Sequence, residues 1–255
     1  MKALNSGVFQ GVSKPLIGVT FALLTTGTAA ADSGPRQEKV QFAKGASSAV
    51  IKGRLKGDAD VDYVVRAAAG QTLSVTLQET NPQNYFNVLP PGSEDAAMFV
   101  GHDGGDFKGM LPDDGDYVVR VYLMRPAARR GETSDYTVTI GVTGKPLTPL
   151  PASKDALVPG TLYHATANIR CVPAYETAAK DCEASVIRRG FDGTATVDIA
   201  GGPEVRSILL LKGKPIATNA SRIDALSSER TGDVTIVKLG DTERYEIPDA
   251  LITGG

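Results

Sequence analysis

Residues 111–130 carry the strongest pattern in the chain, and this pattern limits the fold most. Gly115 lies among carboxylates, which is typical of a turn that needs a residue tolerant of positive φ. The residues that follow, 117–124, are aromatic, β-branched or long, as in a pleated strand. One face at period two is apolar: Tyr117, Val119, Val121 and Leu123. The opposite face is mixed, so we predict a half-buried strand followed by a basic loop.

Shorter versions of this pattern recur along the chain. Glycine-rich turns separate apolar alternations, tryptophan is absent, and no long amphipathic helix is visible. The sequence therefore predicts an all-β protein. Eight or so short strands before residue 143 favour a β-sandwich, and the strand pairs after residue 160 favour a small antiparallel β-meander domain.

The first 31 residues have the features of a secretory signal peptide. Lys2 and Lys14 supply positive charge, residues 15–24 are apolar, and residues 29–31 are alanines suited to cleavage. The apolar part is too short for a membrane span, although an N-terminal anchor helix remains an alternative. We expect a periplasmic protein that begins near Asp32, with the polar residues 32–39 as a flexible terminus. Without the two lysines its formal charge would be −4 instead of −2, which gives no global reason to bind nucleic acid.

The remaining chain divides at a proline-rich segment. We predict a sandwich over 32–143, a linker over 144–156 with three prolines, and an antiparallel β domain over 157–255. Cys171 and Cys182 flank a polar loop of the second domain. In an oxidising compartment, two lone cysteines predict a disulfide. The sequence points to no oligomeric state.

The sandwich segment resembles a known family. Residues 53–73, 111–123 and 134–140 resemble the bacterial pre-peptidase C-terminal domain, a jelly-roll-like β-sandwich appended to secreted enzymes. The matching positions are Gly53, Asp62, Tyr63, Gly70, Leu73, Leu111, Pro112, Gly115, Tyr117, Arg120, Val121 and Tyr136. The resemblance covers about residues 38–143. The Phe-Ala-Lys-Gly run at 42–45 and the R-x-x-A-R run at 125–129 are similar to periplasmic inhibitors of g-type lysozyme, which share this sandwich.

The second resemblance implies a partner and a binding segment. An inhibitor of this kind occupies a cleft that holds peptidoglycan and is acidic at a catalytic glutamate, so it needs donors or cations. The candidates are Arg125, Arg129 and Arg130, with Glu132 placed to orient one of them. The alternative is a solvated loop with ordinary surface charge. A second functional hypothesis is a glycan-, peptidoglycan- or envelope-binding accessory module that uses an exposed Tyr122, and a third is a purely structural envelope protein.

Other chemistry has little support in the sequence. We find no nucleophile elbow, zinc spacing or phosphate-binding glycine loop, so we expect no enzymatic activity and no cofactor. The aspartates between 103 and 116 favour either an acidic surface or, less well, a Ca²⁺ site. Arg188 and Arg189, with Lys212 and Lys214, indicate either a basic patch for an anionic polymer or ordinary surface charge. Residues 219–228 are compatible with one short helix.

Overall fold

A computed structural model describes residues 34–103, 105–221 and 226–254. Its strands are β1 Arg36–Lys39, β2 Ser48–Lys56, β3 Val61–Ala67, β4 Thr72–Glu79, β5 Asn84–Leu89, β6 Phe99–Val100, β7 Phe107–Met110, β8 Gly115–Leu123, β9 Thr133–Thr143, β10 Ala165–Val172, β11 Lys180–Arg188, β12 Ala195–Ala200, β13 Arg206–Leu211, β14 Lys214–Thr218, β15 Leu226–Thr231, β16 Val234–Leu239 and β17 Glu243–Pro248. The helices are α1 Arg125–Arg129, α2 Asp249–Thr253 and a 3₁₀ turn at Gly101–Asp103. The predicted all-β class is confirmed.

The first half of the chain forms a β-sandwich. A five-stranded sheet in the order β1-β3-β8-β5-β6 faces a four-stranded sheet in the order β2-β9-β4-β7. The apolar faces of both sheets pack into one core. Period-two alternation produces this packing, since the odd-numbered residues of β8 are buried while its even-numbered residues point outward.

Two tyrosines connect the sheets inside this core. The hydroxyls of Tyr63 and Tyr136 lie 2.8 Å apart and form a buried hydrogen bond. Gly53, on the strand beside Tyr136, leaves room for that ring, because a Cβ at Gly53 would clash with it. The glycine is therefore needed for close approach and not for a turn.

The second half forms an eight-stranded antiparallel sheet. Its order is β14-β13-β12-β11-β10-β17-β16-β15, so β10–β14 and β15–β17 are two meanders joined where β17 pairs with β10. The end strands β14 and β15 also contact each other, which curls the sheet toward a barrel around its own core. Cys171 and Cys182 form the predicted disulfide between β10 and β11, with their Cα atoms 5.9 Å apart.

A junction of apolar and polar contacts connects the two halves. On the outer face of the eight-stranded sheet, Leu209 and Ala217 pack with Ala69 and the partly buried Leu147. Beside this cluster the Thr196 hydroxyl donates a 2.8 Å hydrogen bond to the carbonyl of Pro112. The sandwich therefore meets the second sheet through the turn that precedes β8.

The segment predicted as a linker lies in contact with both halves. The amide of Leu147 donates to the carbonyl of Ala69 in the sandwich, and that of Leu150 donates to the carbonyl of Arg188 in the second sheet. Buried His164 accepts the Arg188 amide at Nδ1, so its Nε2 carries the proton that bonds to the Leu150 carbonyl, 2.9 Å away. The division into two domains and a linker stays a prediction.

Several local predictions were wrong. The basic segment after β8 is not a loop but begins with α1, because Pro126 starts the helix and Ala127 and Ala128 bury its inner face. The polar residues 36–39 form β1, which pairs in parallel with β3. Residues from 226 onward form β15 and not a helix; residues 222–225, like the predicted signal peptide at 1–31, lie outside the described residues. Within the described ranges, no helix has the length and apolar character to cross a membrane.

Candidate functional site

The predicted binding segment lies at the end of β8 that is farthest along the strand from the junction. β8 begins in the junction at Gly115 and ends at Leu123, which corresponds to about 26 Å of strand. α1 begins two residues later. This end of β8 is therefore about one strand length from the junction, and the outer face of α1, with Arg125, Pro126 and Arg129, is exposed.

Buried alanines fix α1 to the sandwich while its arginines point outward. Ala127 and Ala128 are part of the sandwich core, and the Ala128 amide donates to the carbonyl of Met124. Arg125 and Arg129 are exposed and lie four residues apart, so they share one face of the helix. Within the part of the chain that the structure describes, neither guanidinium has an ion-pair or hydrogen-bond partner. Two cations therefore lie side by side on the helix surface. No hydrogen bond or ion pair to the described residues has to be broken before they bind a partner.

The residues after α1 are held by a hydrogen-bonded brace. Arg130 Nε contacts Glu132 Oε1 at 2.6 Å, and Asn81 Nδ2 donates to Glu132 Oε2 at 2.9 Å. These two contacts, Asn81 first, lower the pKa of the Glu132 carboxyl. The Glu132 carbonyl also accepts the amide of Gly57. Glu132 therefore orients Arg130 and ties the segment to two neighbouring loops; that any of these residues binds a partner stays a prediction.

Sequence reasoning missed two residues that support this brace. Asn81 is in the loop between β4 and β5, and its side chain also caps the amide of Gln83 at 3.0 Å. Gly57 adopts positive φ, which allows its turn to approach the carbonyl of Ala128. Both lie more than 45 positions from Glu132 in sequence, so only the pairing of the strands brings them together.

Tyr122 lies on a different face from the α1 arginines. It is half-buried on the outer face of the five-stranded sheet, directly opposite Tyr85. Its hydroxyl donates to Asn87 Oδ1 at 3.2 Å, and burial raises the pKa of this hydroxyl. Arg120 in the neighbouring row is paired with Asp62 through two hydrogen bonds of 2.7 and 2.9 Å. The polar side chains of this face therefore already form hydrogen bonds with one another. The Tyr122 ring is also less exposed than the glycan hypothesis expects.

The acidic turn before β8 contributes to the junction and not to a free edge. Asp114 accepts hydrogen bonds from the Ala69 amide and from Arg189 Nη1, both at 2.9 Å. Asp116 pairs loosely with Arg66, and Asp103 with His102. In the described ranges no three acidic, histidine or cysteine side chains are grouped so as to hold a metal ion. These carboxylates therefore serve protein contacts.

Two carboxylates meet across the junction, and neither forms an ion pair with any residue that the structure describes. Asp113 from the sandwich faces Asp198 on β12, which accepts hydrogen bonds from Ser207 at 2.8 Å and Tyr163 at 3.0 Å. Burial first, and then the charge of Asp198, raise the pKa of Asp113 to about 7. Burial also raises the pKa of Asp198. The pair is thus a titrating part of the contact between the two halves.

Of the four residues considered for a basic patch, Arg188 and Arg189 cannot contribute because both are buried, whereas Lys212 and Lys214 are exposed. The Arg189 side chain is 0% exposed and donates to Asp114, to the carbonyl of Leu147 and to the hydroxyl of Thr196. Arg188 donates to both oxygens of Asp155 and to the carbonyl of Leu251. Neither guanidinium can reach an external polymer.

Comparisons with known proteins relate this chain to a family by sequence. No family model matches the chain. An inhibitor of g-type lysozyme from Escherichia coli (strain K12) is 32% identical over 124 residues, which is 48% of this chain and 90% of that protein. Among solved structures, the periplasmic lysozyme inhibitor of g-type lysozyme from Aeromonas hydrophila is 36% identical, covers 42% of this chain and 96% of its own, and has a TM-score of 0.40. The corresponding inhibitor from Salmonella Typhimurium is 26% identical, with coverages of 43% and 100% and a TM-score of 0.36.

The fold defines an all-β protein built on a β-sandwich that carries a second, curled sheet. The match to the Escherichia coli protein is long enough, relative to that protein, to settle the family. This chain belongs to the family of inhibitors of g-type lysozyme. About half of the chain lies outside the matched length.

Proposed function

We propose that the protein inhibits a g-type lysozyme and that the outer face of α1 is its main contact. The observation that carries the proposal is the pair Arg125 and Arg129, which are exposed, lie one helical turn apart and have no partner among the described residues. Family membership supplies the class of partner. The binding element is then a short helix at the edge of the sandwich, in place of the basic loop that the sequence suggests.

The chemistry of the partner fits such a helix. A lysozyme cleft contains a catalytic carboxyl group, and a guanidinium can hold a carboxylate through two parallel hydrogen bonds. The buried alanines hold α1 on the sandwich, and the Glu132 brace holds the residues that follow it, so the backbone of the segment is ordered before binding, which lowers the ordering cost of association. Arg130 is held by Glu132 and so contributes less freely than the other two arginines.

The experiment is an inhibition assay with the purified full chain. Goose-type lysozyme lysing a cell-wall suspension should slow at a near-stoichiometric ratio of inhibitor. The double variant Arg125→Ala/Arg129→Ala should bind at least about 30-fold more weakly, the size of a hot-spot loss. Failure of the parental protein to slow any g-type lysozyme would remove the proposed function.

A matched control separates this contact from a general loss of positive charge. Arg66, whose strand position pairs with the junction end of β8, and Arg170, in the second half, are also exposed arginines, each in a loose ion pair with an aspartate. Arg66→Ala/Arg170→Ala removes the same charge away from α1 and should change inhibition less than threefold. Equal losses in the two double variants would mean that charge, and not the α1 face, determines binding.

We further propose that the protein is exported to the periplasm, where its structurally characterised relatives are described as acting, and that it has no catalytic activity of its own. Residues 1–31 would be removed on export, so N-terminal sequencing of protein from a periplasmic extract should begin near Asp32. A chain that retains Met1 in that extract would contradict cleavage.

Finally, we propose that the sandwich is of the pre-peptidase C-terminal type. The positions that carry this resemblance have structural tasks: Asp62 binds Arg120, Tyr63 binds Tyr136, and the Tyr117 hydroxyl contacts the backbone of Asp113. An experimental structure of the sandwich that superposes strand for strand on a solved domain of that type would support the assignment. A different strand order would contradict it.

A further inference from the structure

Tyr175, in the loop between β10 and β11, differs from the other described tyrosines. Its side chain is 95% exposed, the highest value among the large hydrophobic residues of the described chain. In contrast, Tyr63, Tyr117 and Tyr245 are almost fully buried, and each hydroxyl makes a hydrogen bond. The fold thus uses tyrosine mainly as an internal connector, whereas the Tyr175 hydroxyl has no hydrogen-bond partner among the described residues.

The backbone at Tyr175 is unfavourable for the residue that occupies it. Its φ is +66°, in the left-handed region that favours glycine. Among the described residues, the other non-glycine position with positive φ is Lys212, which lies beside Gly213 in the two-residue hairpin turn between β13 and β14. The fourteen remaining positive-φ positions are glycines. A non-glycine residue held at this φ is strained, and such an outlier motivates a hypothesis of function for the Tyr175 side chain.

The loop that carries Tyr175 is anchored by a disulfide, a packing contact and an ion pair. The Cys171–Cys182 disulfide closes the two strands beneath it, and Pro173 is buried close to Gly202 of the neighbouring turn. Lys180 Nζ pairs with Glu176 Oε1 at 2.6 Å. The backbone that carries the ring is therefore anchored before any ligand binds, and the charges next to it neutralise each other.

The surroundings of the ring favour a sugar over a protein as the ligand. A stable protein interface buries about 1,200 Å² or more and surrounds its central residue with further contacts. Around Tyr175 the exposed residues 177–179 are threonine and alanine, which supply little such area. A pyranose needs only one aromatic face, because its C–H groups meet the electron-rich ring while its hydroxyls stay in water.

We propose that the Tyr175 loop is a contact site for a neutral glycan, with the glycan strands of peptidoglycan as the ligand class. Tyr175 supplies the stacking surface, and the Glu176–Lys180 pair and Thr177 border it with polar groups. This site lies outside residues 38–143, the segment that resembles the lysozyme inhibitors. It is a second binding end, independent of the α1 arginines.

The test is co-sedimentation of the full chain with insoluble peptidoglycan. The parental protein should pellet with the polymer, and a soluble tetramer of N-acetylglucosamine should release it. Tyr175→Ala should reduce the bound fraction roughly three- to tenfold, as expected for loss of one aromatic contact. Tyr175→Phe keeps the ring and should pellet like the parent.

Three outcomes would overturn the proposal: a parental protein that stays in solution, a Tyr175→Ala variant that pellets fully, or a Tyr175→Phe variant that fails like alanine. Lysozyme inhibition serves as the second readout and should be unchanged in Tyr175→Ala. If inhibition falls instead, Tyr175 contacts the enzyme and the glycan assignment is wrong. The Arg125→Ala/Arg129→Ala variant should pellet normally, so failure of the inhibitor proposal remains distinguishable from failure of this one.

Discussion

Two pairs of arginines in this protein have opposite environments. Arg125 and Arg129 on α1 are exposed and have no partner in the described chain, whereas Arg188 and Arg189 are buried and bonded to Asp155 and Asp114. In sequence both pairs look like basic surface. The difference teaches that a cation is available for binding only where the fold supplies no carboxylate for it.

Because the environments differ, substitution of each pair should change the free energy of unfolding by a different amount. Removal of a buried guanidinium leaves its hydrogen-bonding partners buried and unpaired, whereas removal of an exposed guanidinium loses only contacts with water. The buried pair should therefore determine how the two halves hold together. The exposed pair should determine only what the molecule binds.

The largest effect should come from Arg189→Ala. This change removes a fully buried side chain that joins Asp114, Leu147 and Thr196 across the junction. We expect a loss of about 3 kcal/mol in the free energy of unfolding, moderated because Asp114 is 31% exposed and can be partly solvated. Urea unfolding followed by circular dichroism measures it.

The matched control for this substitution is Arg170→Ala. Arg170 lies on β10, is 51% exposed and pairs loosely with Asp181 at 3.6 Å. It should cost less than about 0.5 kcal/mol. Similar costs for Arg170 and Arg189 would show that burial in the junction adds nothing.

An effect of intermediate size should appear when the free energy of unfolding is measured as a function of pH. The pKa of Asp113 is raised to about 7 in the folded protein, so protonated Asp113 stabilises the fold at low pH. That contribution is complete below the unfolded pKa near 4 and is lost as pH rises through 7. We expect the free energy of unfolding to fall by on the order of 1–2 kcal/mol between pH 5 and 7.5.

Asp198→Asn tests the cause of this trend. It removes the facing charge while keeping a polar group for Ser207 and Tyr163, so the decline should become clearly shallower. Arg189 and Asp114 also face the pair and are unchanged in the variant. Asp181→Asn, at a carboxylate that is 75% exposed, should leave the trend as it is. A parental protein with no decline would refute the assignment.

The smallest effect on stability should come from the α1 pair. Arg125→Ala/Arg129→Ala should change the free energy of unfolding by less than about 0.5 kcal/mol, because alanine suits a helix and no ion pair is broken. Thermal unfolding next to the inhibition assay checks this point. A loss above 1 kcal/mol would mean that these arginines have a structural task, and the contrast with Arg189 would fail.

Local pattern predicted much of the fold because the pattern itself reflects burial. The alternation in β8 places Tyr117, Val119 and Val121 in the core as expected, and the two cysteines pair as expected. β1 escaped prediction because its polar residues gain strand structure only from pairing with β3. Tertiary contacts override local preference at such positions.

The candidate sites were less predictable because their determinants are distant in sequence. Arg189 is buried by Asp114, which is 75 positions away, and Glu132 is braced by Asn81, 51 positions away. Nothing local distinguishes these residues from surface charge. The α1 helix was mistaken for a loop because two alanines among arginines give no alternation, although their burial in the core decides the conformation.

The packed junction has a consequence for avidity. The contact between the two halves is filled by packed side chains: Leu209, Ala217, Ala69 and Leu147. The distance between α1 and the Tyr175 loop is therefore set by this packing and not by a flexible linker. Two binding ends on a rigid body raise each other's effective concentration only when both targets occur at that spacing. A lysozyme bound to peptidoglycan places both proposed targets, the enzyme and the glycan, next to each other. The molecule would then respond to lysozyme at work on the wall more strongly than to lysozyme in solution.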